Sequence, residues 1–262
     1  FLVNGHKGLA DAAGIGAIAA KKGAPILFTS NSRLEATRSD LGQLGIDNVY
    51  VIGGNLSLVG EFDRIATSVE RIAGSNRQET SLKMMNKFNP NPAVVYLTDD
   101  GGVRANRLID AVLINSGIIA SNAQASASDK GVEQVGPTKS PKSSNLAEGA
   151  VLLVNSNNGL SFNQYKTLYN MSSLTGLTQV SGGDALTNSM GILSNLMQNK
   201  GNAKADQAFD RLMKLEYLTT EYNVYGTKKQ IEGSQFLSTL KMDSSFNFIY
   251  DRARMESLLK NM

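Results

Sequence analysis

The sequence predicts an α/β protein: repeated parallel-sheet units flanked by helices, followed by a mainly helical C-terminal segment. Three observations carry this. Short apolar runs bounded by Gly, Asn or Ser alternate with amphipathic stretches, as buried parallel strands alternate with crossover helices. The order of these landmarks recurs along the chain. Hydrophobic residues make up 41% of the 262, enough to core one large domain or two ordinary ones at roughly 100–200 residues each.

The elements follow in order. Phe1-Leu2-Val3 reads as a strand, and a chain opening inside a strand is expected to be a processed or partial one. The turn Gly5-His6-Lys7-Gly8 leads to an alanine-rich helix, Ala12 to Ala20, closed by Lys21-Lys22-Gly23. A second apolar run spans Ala24 to Asn31, and a helix runs from Arg33 to Leu44 and stops at Gly45. Val49 to Ile52 is the third strand and ends at Gly53-Gly54. Phe62 to Ile72 is expected as a helix with Phe62, Ile65, Val69 and Ile72 on one face. A Gly74-Ser75 turn and a polar linker precede a helix from Leu82 to Phe88, which Asn89-Pro90-Asn91-Pro92 stops.

The same series then recurs. Val94 to Leu97 matches Phe1 to Val3, and Leu108-Ile109-Asp110-Ala111 matches Leu9-Ala10-Asp11-Ala12. Ala150 to Asn157 matches Ala24 to Asn31, and Leu177 to Gly183 matches Val49 to Gly54. An insertion interrupts it: residues 121–149, rich in Ser, Ala, Lys and Asn, with Pro137, Lys139, Pro141 and Lys142, are expected as an exposed loop. Beyond Leu196 the pattern is lost. There the sequence suggests a helix from Ala205 to Glu221, short strands near Val224 and Phe246, and a last helix from Arg252 to Lys260. The expected division is 1–72, then 73–200, then 201–262 as a degenerate third unit or an assembly segment.

Composition removes whole classes of function. Lys and Arg total 26 against 23 Asp and Glu, too even for a polybasic nucleic-acid binder. Without cysteine there is no disulfide framework, thiolate zinc site, iron–sulfur cluster or cysteine nucleophile. His6 is the single histidine, which excludes most zinc hydrolases and leaves almost no room for a Ser-His-Asp site. No stretch approaches the ~20 apolar residues of a membrane span. No catalytic residue, metal, cofactor, nucleic acid or membrane is therefore expected.

Several motifs have structural readings. Gly14-Ile15-Gly16-Ala17-Ile18-Ala19 fits a dinucleotide fingerprint but lies inside a helix, where small residues permit close packing. Asp99-Asp100 could seat Mg²⁺ but reads better as an acidic turn. Asp11 and Asp110 begin helices, where carboxylates are expected to cap orphan amides. Met84, Met85, Met190 and Met197 are expected in the core.

The stretch from Val49-Tyr50-Val51-Ile52-Gly53-Gly54 to Arg71-Ile72-Ala73-Gly74-Ser75-Asn76-Arg77-Gln78-Glu79-Thr80 resembles the junction of the type 2 cell-wall-binding repeats of clostridial surface proteins. Ala19-Ala20-Lys21-Lys22-Gly23-Ala24-Pro25-Ile26-Leu27 resembles the same family upstream. Asn76 and Gln78 depart from the family's Asp and Tyr. The resemblance implies a Toprim-like α/β unit, residence in the S-layer or wall as a secreted protein, and noncovalent attachment to an anionic wall polysaccharide. Other copies or other surface-layer subunits are further expected partners.

The candidate ligand residues are Arg71 and Arg77, whose guanidinium forks suit phosphate or carboxylate oxygens. Arg71 is expected to lie against the packed body and Arg77, past the Gly-Ser turn, to reach a ligand. Thr29, Ser30 and Asn31, at a strand end, are the alternative site. The expected function is a non-catalytic surface module whose repeated weak sites add avidity on a polymer. The alternative is an assembly protein of a surface layer or virion that uses the same fold without glycan binding.

Overall fold

The structure, a computed structural model, describes residues 1–102, 105–129, 149–224 and 227–261. In chain order the first elements are β1 (Leu2–Asn4), α1 (Leu9–Lys21), β2 (Leu27–Thr29), α2 (Leu34–Gln43), β3 (Asn48–Ile52), β4 (Ser68–Ile72) and α3 (Arg77–Phe88). The next are β5 (Val94–Asp99), α4 (Leu108–Asp129), β6 (Gly149–Val154), α5 (Phe162–Asn170), β7 (Gly176–Gln179) and α6 (Asp184–Gln198). The last are α7 (Ala203–Lys214), β8 (Thr219–Val224), β9 (Thr227–Glu232), α8 (Gly233–Leu237), β10 (Leu240–Met242), β11 (Phe248–Tyr250) and α9 (Arg252–Asn261).

The chain is mixed α/β, as expected, and divides into two compact units. One comprises Phe1–Leu153 with Ser173–Val180, the other Val154–Ser172 with Ser181–Met262. The first unit contains a four-stranded parallel sheet in the order β2-β1-β3-β4. It also contains the β6-β5-β7 sheet, in which β5 and β7 run parallel.

Side chains of the first sheet alternate between two faces, as a strand's period of two requires. Leu2, Val49 and Val51 meet Leu41, Leu58, Phe62 and Ile65 on one face. Val3, Ile52 and Ile72 meet Ile15, Ala19 and Met84 of α1 and α3 on the other. The opposite side of α1, through Ala10 and Ala13, packs on Leu108, Ala111 and Ile118 of α4. Asn115 of α4 closes this contact. Its Nδ2 donates to Ala13 O at 2.6 Å and to Ala111 O at 2.9 Å, and its Oδ1 accepts from Ala17 N at 2.9 Å. A Cβ on Gly16 would meet the Asn115 Cβ at 3.3 Å, so Gly16 serves close helix packing.

In the second unit Ser161 caps α5 in a capping box with Gln164. Tyr165 is fully buried and donates to Ser189 O at 3.1 Å. Tyr169 stacks on Phe209 with ring centroids 3.8 Å apart.

Four expectations are corrected. Phe62 to Ile72 is not a helix: a short 3₁₀ turn, Gly60–Arg64, keeps Phe62 buried, and Ser68–Ile72 is the strand β4. Pairing β4 residue for residue with β3 satisfies backbone groups that an edge would leave open, and this outweighs the local helical pattern. The helix expected at Leu82 starts at Arg77, because Asn76 accepts from Glu79 N at 2.8 Å as its N-cap. The expected loop 121–149 is helical as far as Asp129; Lys139 and Lys142 lie outside the described residues. The C-terminal segment is mixed and not mainly helical: α7 ends at Lys214, and the β8-β9 and β10-β11 hairpins follow.

Candidate functional site at the carboxyl edge of the first sheet

The chain leaves β1 toward β2 on one side, and β3 lies on β1's other side. Loops at such a switch of direction diverge and leave a crevice at the carboxyl ends of the strands. Here the turn after β1 and the loop after β3 meet at that edge. Asn4 ties them together. Its Oδ1 accepts from His6 N at 2.8 Å and Lys7 N at 2.7 Å, while its Nδ2 donates to Ser57 O at 2.6 Å. The side chains of His6 and Lys7 are left exposed.

Asp11 is not the cap of α1. Gly8 occupies that position without a side-chain hydrogen bond, and Asp11 sits within the first turn, only 8% exposed. Among the described residues its side chain has no hydrogen-bond partner. Gly53 covers it: its φ is +95°, and a Cβ there would come 2.8 Å from Asp11 Oδ2. Burial raises the Asp11 carboxyl from its ordinary 3.8 to about 6, with Arg77 pulling in the other direction. The neighbouring Ser57 Oγ is buried and, among the described residues, also has no partner.

Arg71 is engaged on every side. Its guanidinium pairs with Asp63 Oδ1 at 2.7 Å and donates to Gly53 O at 2.7 Å and Val59 O at 3.0 Å. Asn31 holds the same segment by accepting from Val59 N at 3.0 Å. Thr29 is buried against Thr37, hydroxyl to hydroxyl at 2.5 Å, and Ser30 meets Ser32 at 3.0 Å. Arg77 is exposed at the start of α3 and donates to Asp100 O at 3.1 Å. Gln78 donates to the Asp100 carboxylate. Gly102 N does so too, at 2.8 Å, while burial pushes that carboxyl upward. The structure thus brings Arg71 and Asn31 together on the Gly53–Val59 segment and places Arg77 against Asp100, within electrostatic reach of Asp11.

The junction between Arg71 and Arg77 is a closed hydrogen-bond system. The Glu79 carboxylate accepts from Ser75 N at 2.7 Å and Ser75 Oγ at 2.6 Å, which holds its pKa below the usual value. Gly74 is required there, since a Cβ would collide with Glu79 and the Thr80 amide. Among the described residues no cluster of three or more His, Cys, Asp or Glu could hold a metal, and no helix is long and apolar enough to cross a membrane.

Sequence reasoning missed Asn4 and the burial of Asp11. The signal available for Asn4 was its place between a strand and a glycine. For Asp11 there was none, because Gly53 covers it from a distant loop.

Residues 1–60 match the family described as cell wall binding domain 2. Over 91 residues the chain is 36% identical to the N-acetylmuramoyl-L-alanine amidase LytC of Bacillus subtilis (strain 168), which is 34% of this chain and 18% of that protein. The chain therefore spans under a fifth of that relative's length. Its fold resembles Cwp8 from Clostridium difficile, with a TM-score of 0.52 and 23% identity over 74% of this chain and 29% of that one. Cwp6 from the same organism aligns with a TM-score of 0.49 and 19% identity, over 72% and 26%. The likeness to cell wall binding domain 2 thus lies in residues 1–60, and it points to association with the cell wall.

Proposed function

We propose that this chain attaches noncovalently to an anionic wall polysaccharide, without catalysis, through the crevice between the turn after β1 and the loop after β3. The observation carrying this reading is that residues 1–60, the wall-binding match, include both of those segments. Arg77 is the cation of the site, exposed and within electrostatic reach of Asp11. Arg71, Thr29, Ser30 and Asn31 shape it by holding the Gly53–Val59 segment and the end of β2. With one histidine and no cysteine, the chain lacks the imidazoles of a zinc amidase site, which supports a binding role.

The orders β2-β1-β3 and β6-β5-β7 place first, second and third strands alike. We read them as two Toprim-like repeats, 1–72 and 73–200, with 201–262 as a degenerate unit or assembly segment. Each would offer one weak site, and the polymer would supply avidity with other surface-layer subunits.

The test is pulldown of the whole chain by wall polysaccharide purified from Clostridium difficile and Bacillus subtilis. Retention that high salt weakens is expected. Failure to bind either polymer at low salt would remove this function.

A further inference from the structure

We infer that Asp11 is the group through which the crevice recognises sugar hydroxyls, so that the site reads a glycan and not charge alone; this rests on the wall-polysaccharide reading above. Asp11 is 8% exposed and, among the described residues, accepts no hydrogen bond. A buried carboxylate without donors is costly, and native structures rarely leave one so. Its setting supplies complementary groups for a ligand. The first turn of α1 has no side-chain cap, so its amides are donors without an intrahelical partner. Arg77 adds a cation.

A site holding an acceptor and donors side by side selects a group that both donates and accepts. A sugar hydroxyl does this, donating to Asp11 and accepting from an amide of the first turn of α1. A bare anion would gain from Arg77 and the amides but would be repelled by the Asp11 carboxylate. The charged group acting on Asp11 is Arg77 of α3, which also faces Asp100; Gly53 to Ser57 contribute none.

The experiment compares two polyanions on the whole chain: purified wall polysaccharide, which carries hydroxyls, and inorganic polyphosphate, which does not. Asp11→Asn keeps the shape of the side chain and removes its charge. At pH 7.5 it is expected to weaken polysaccharide binding about tenfold, the worth of one charge-assisted hydrogen bond. Polyphosphate binding should stay the same or tighten. The unaltered chain gives an independent readout that needs no variant. As the pH falls through about 6, where Asp11 takes up its proton, polysaccharide binding should weaken while polyphosphate binding strengthens. If the unaltered chain binds the polysaccharide, and Asp11→Asn binds it equally or both polymers respond to pH with the same sign, Asp11 is not the recognition group. If the unaltered chain binds no polysaccharide, the wall-binding reading fails first and takes this inference with it.

Discussion

Asp11 sets a measurable balance between stability and charge. Its carboxyl is raised from 3.8 to about 6 in the folded chain, so between those values the native state holds a proton that the unfolded chain has released. Stability contributed by this group is present below about pH 4 and is lost as the pH rises through about 6, a difference of about 2–3 kcal/mol. Asp11→Asn should therefore be more stable than the unaltered chain at pH 7, with the advantage shrinking toward pH 4. Urea denaturation of both chains across that range checks it, and a pH-independent difference would assign the effect to another cause. The two arginines should separate. Arg71→Ala removes an ion pair and two bonds to carbonyls at a side chain 16% exposed, which is expected to cost about 2–4 kcal/mol. Arg77→Ala removes one bond from an exposed side chain and should leave the melting temperature nearly unchanged while weakening polysaccharide binding about tenfold. Thermal melts and pulldowns on the same two variants decide this; the reverse pattern would exchange the roles.

At the scale of elements, the contact of α1 with α4 depends on small residues and one amide. Asn115 bonds at the same time to α1 and to its own helix, over a sequence separation of 102 residues for Ala13. Asn115→Ala would forfeit those bonds and leave a void between helices whose apolar partners are mostly alanines. The expected loss is about 2–3 kcal/mol. It should appear as a lower urea midpoint with an unchanged slope, because the folded surface is otherwise the same. Gly16→Leu should be worse, since its side chain would have to displace Asn115 itself. An Asn115→Ala chain as stable as its parent would mean that α1 recovers its own ladder at no cost. The strand β4 belongs to this scale as well. Its residues carry a helical spacing of apolar positions, yet an open edge on β3 offers a full set of backbone bonds, and the sheet prevails.

For the whole molecule, the formal charge is only +3, so attraction to a polyanion has to be local. Arg77 is exposed, as are His6 and Lys7, and such contacts are screened within about 8–10 Å at physiological salt. Polysaccharide binding should fall severalfold between about 0.05 M and about 0.5 M NaCl. The hydroxyl contacts of the crevice should leave a remainder that salt does not remove. Binding isotherms across that range check this. Loss of all affinity by the middle of the range would mean that charge alone holds the polymer.

The amino-acid sequence by itself determined which chemistries are closed to this chain, through one histidine and no cysteine. It also determined the order of the strands and helices of the first sheet up to Ile52, because apolar runs and glycine stops are local signals. The family match at residues 1–60 is likewise written in local motifs. Tertiary structure alone decided the rest. Whether Ser68–Ile72 becomes helix or strand depends on the neighbouring strand's free edge. Which groups hold Arg71 against the body depends on Asp63, Gly53 and Val59 closing around it. Asn4 and Ser57 are 53 residues apart, yet one hydrogen bond joins their loops at the edge of the sheet. Periodicity tells each residue which side to bury but not what it will be buried against, and Asp11 owes its raised pKa to that partner surface, with Gly53 folded over it from the end of another strand.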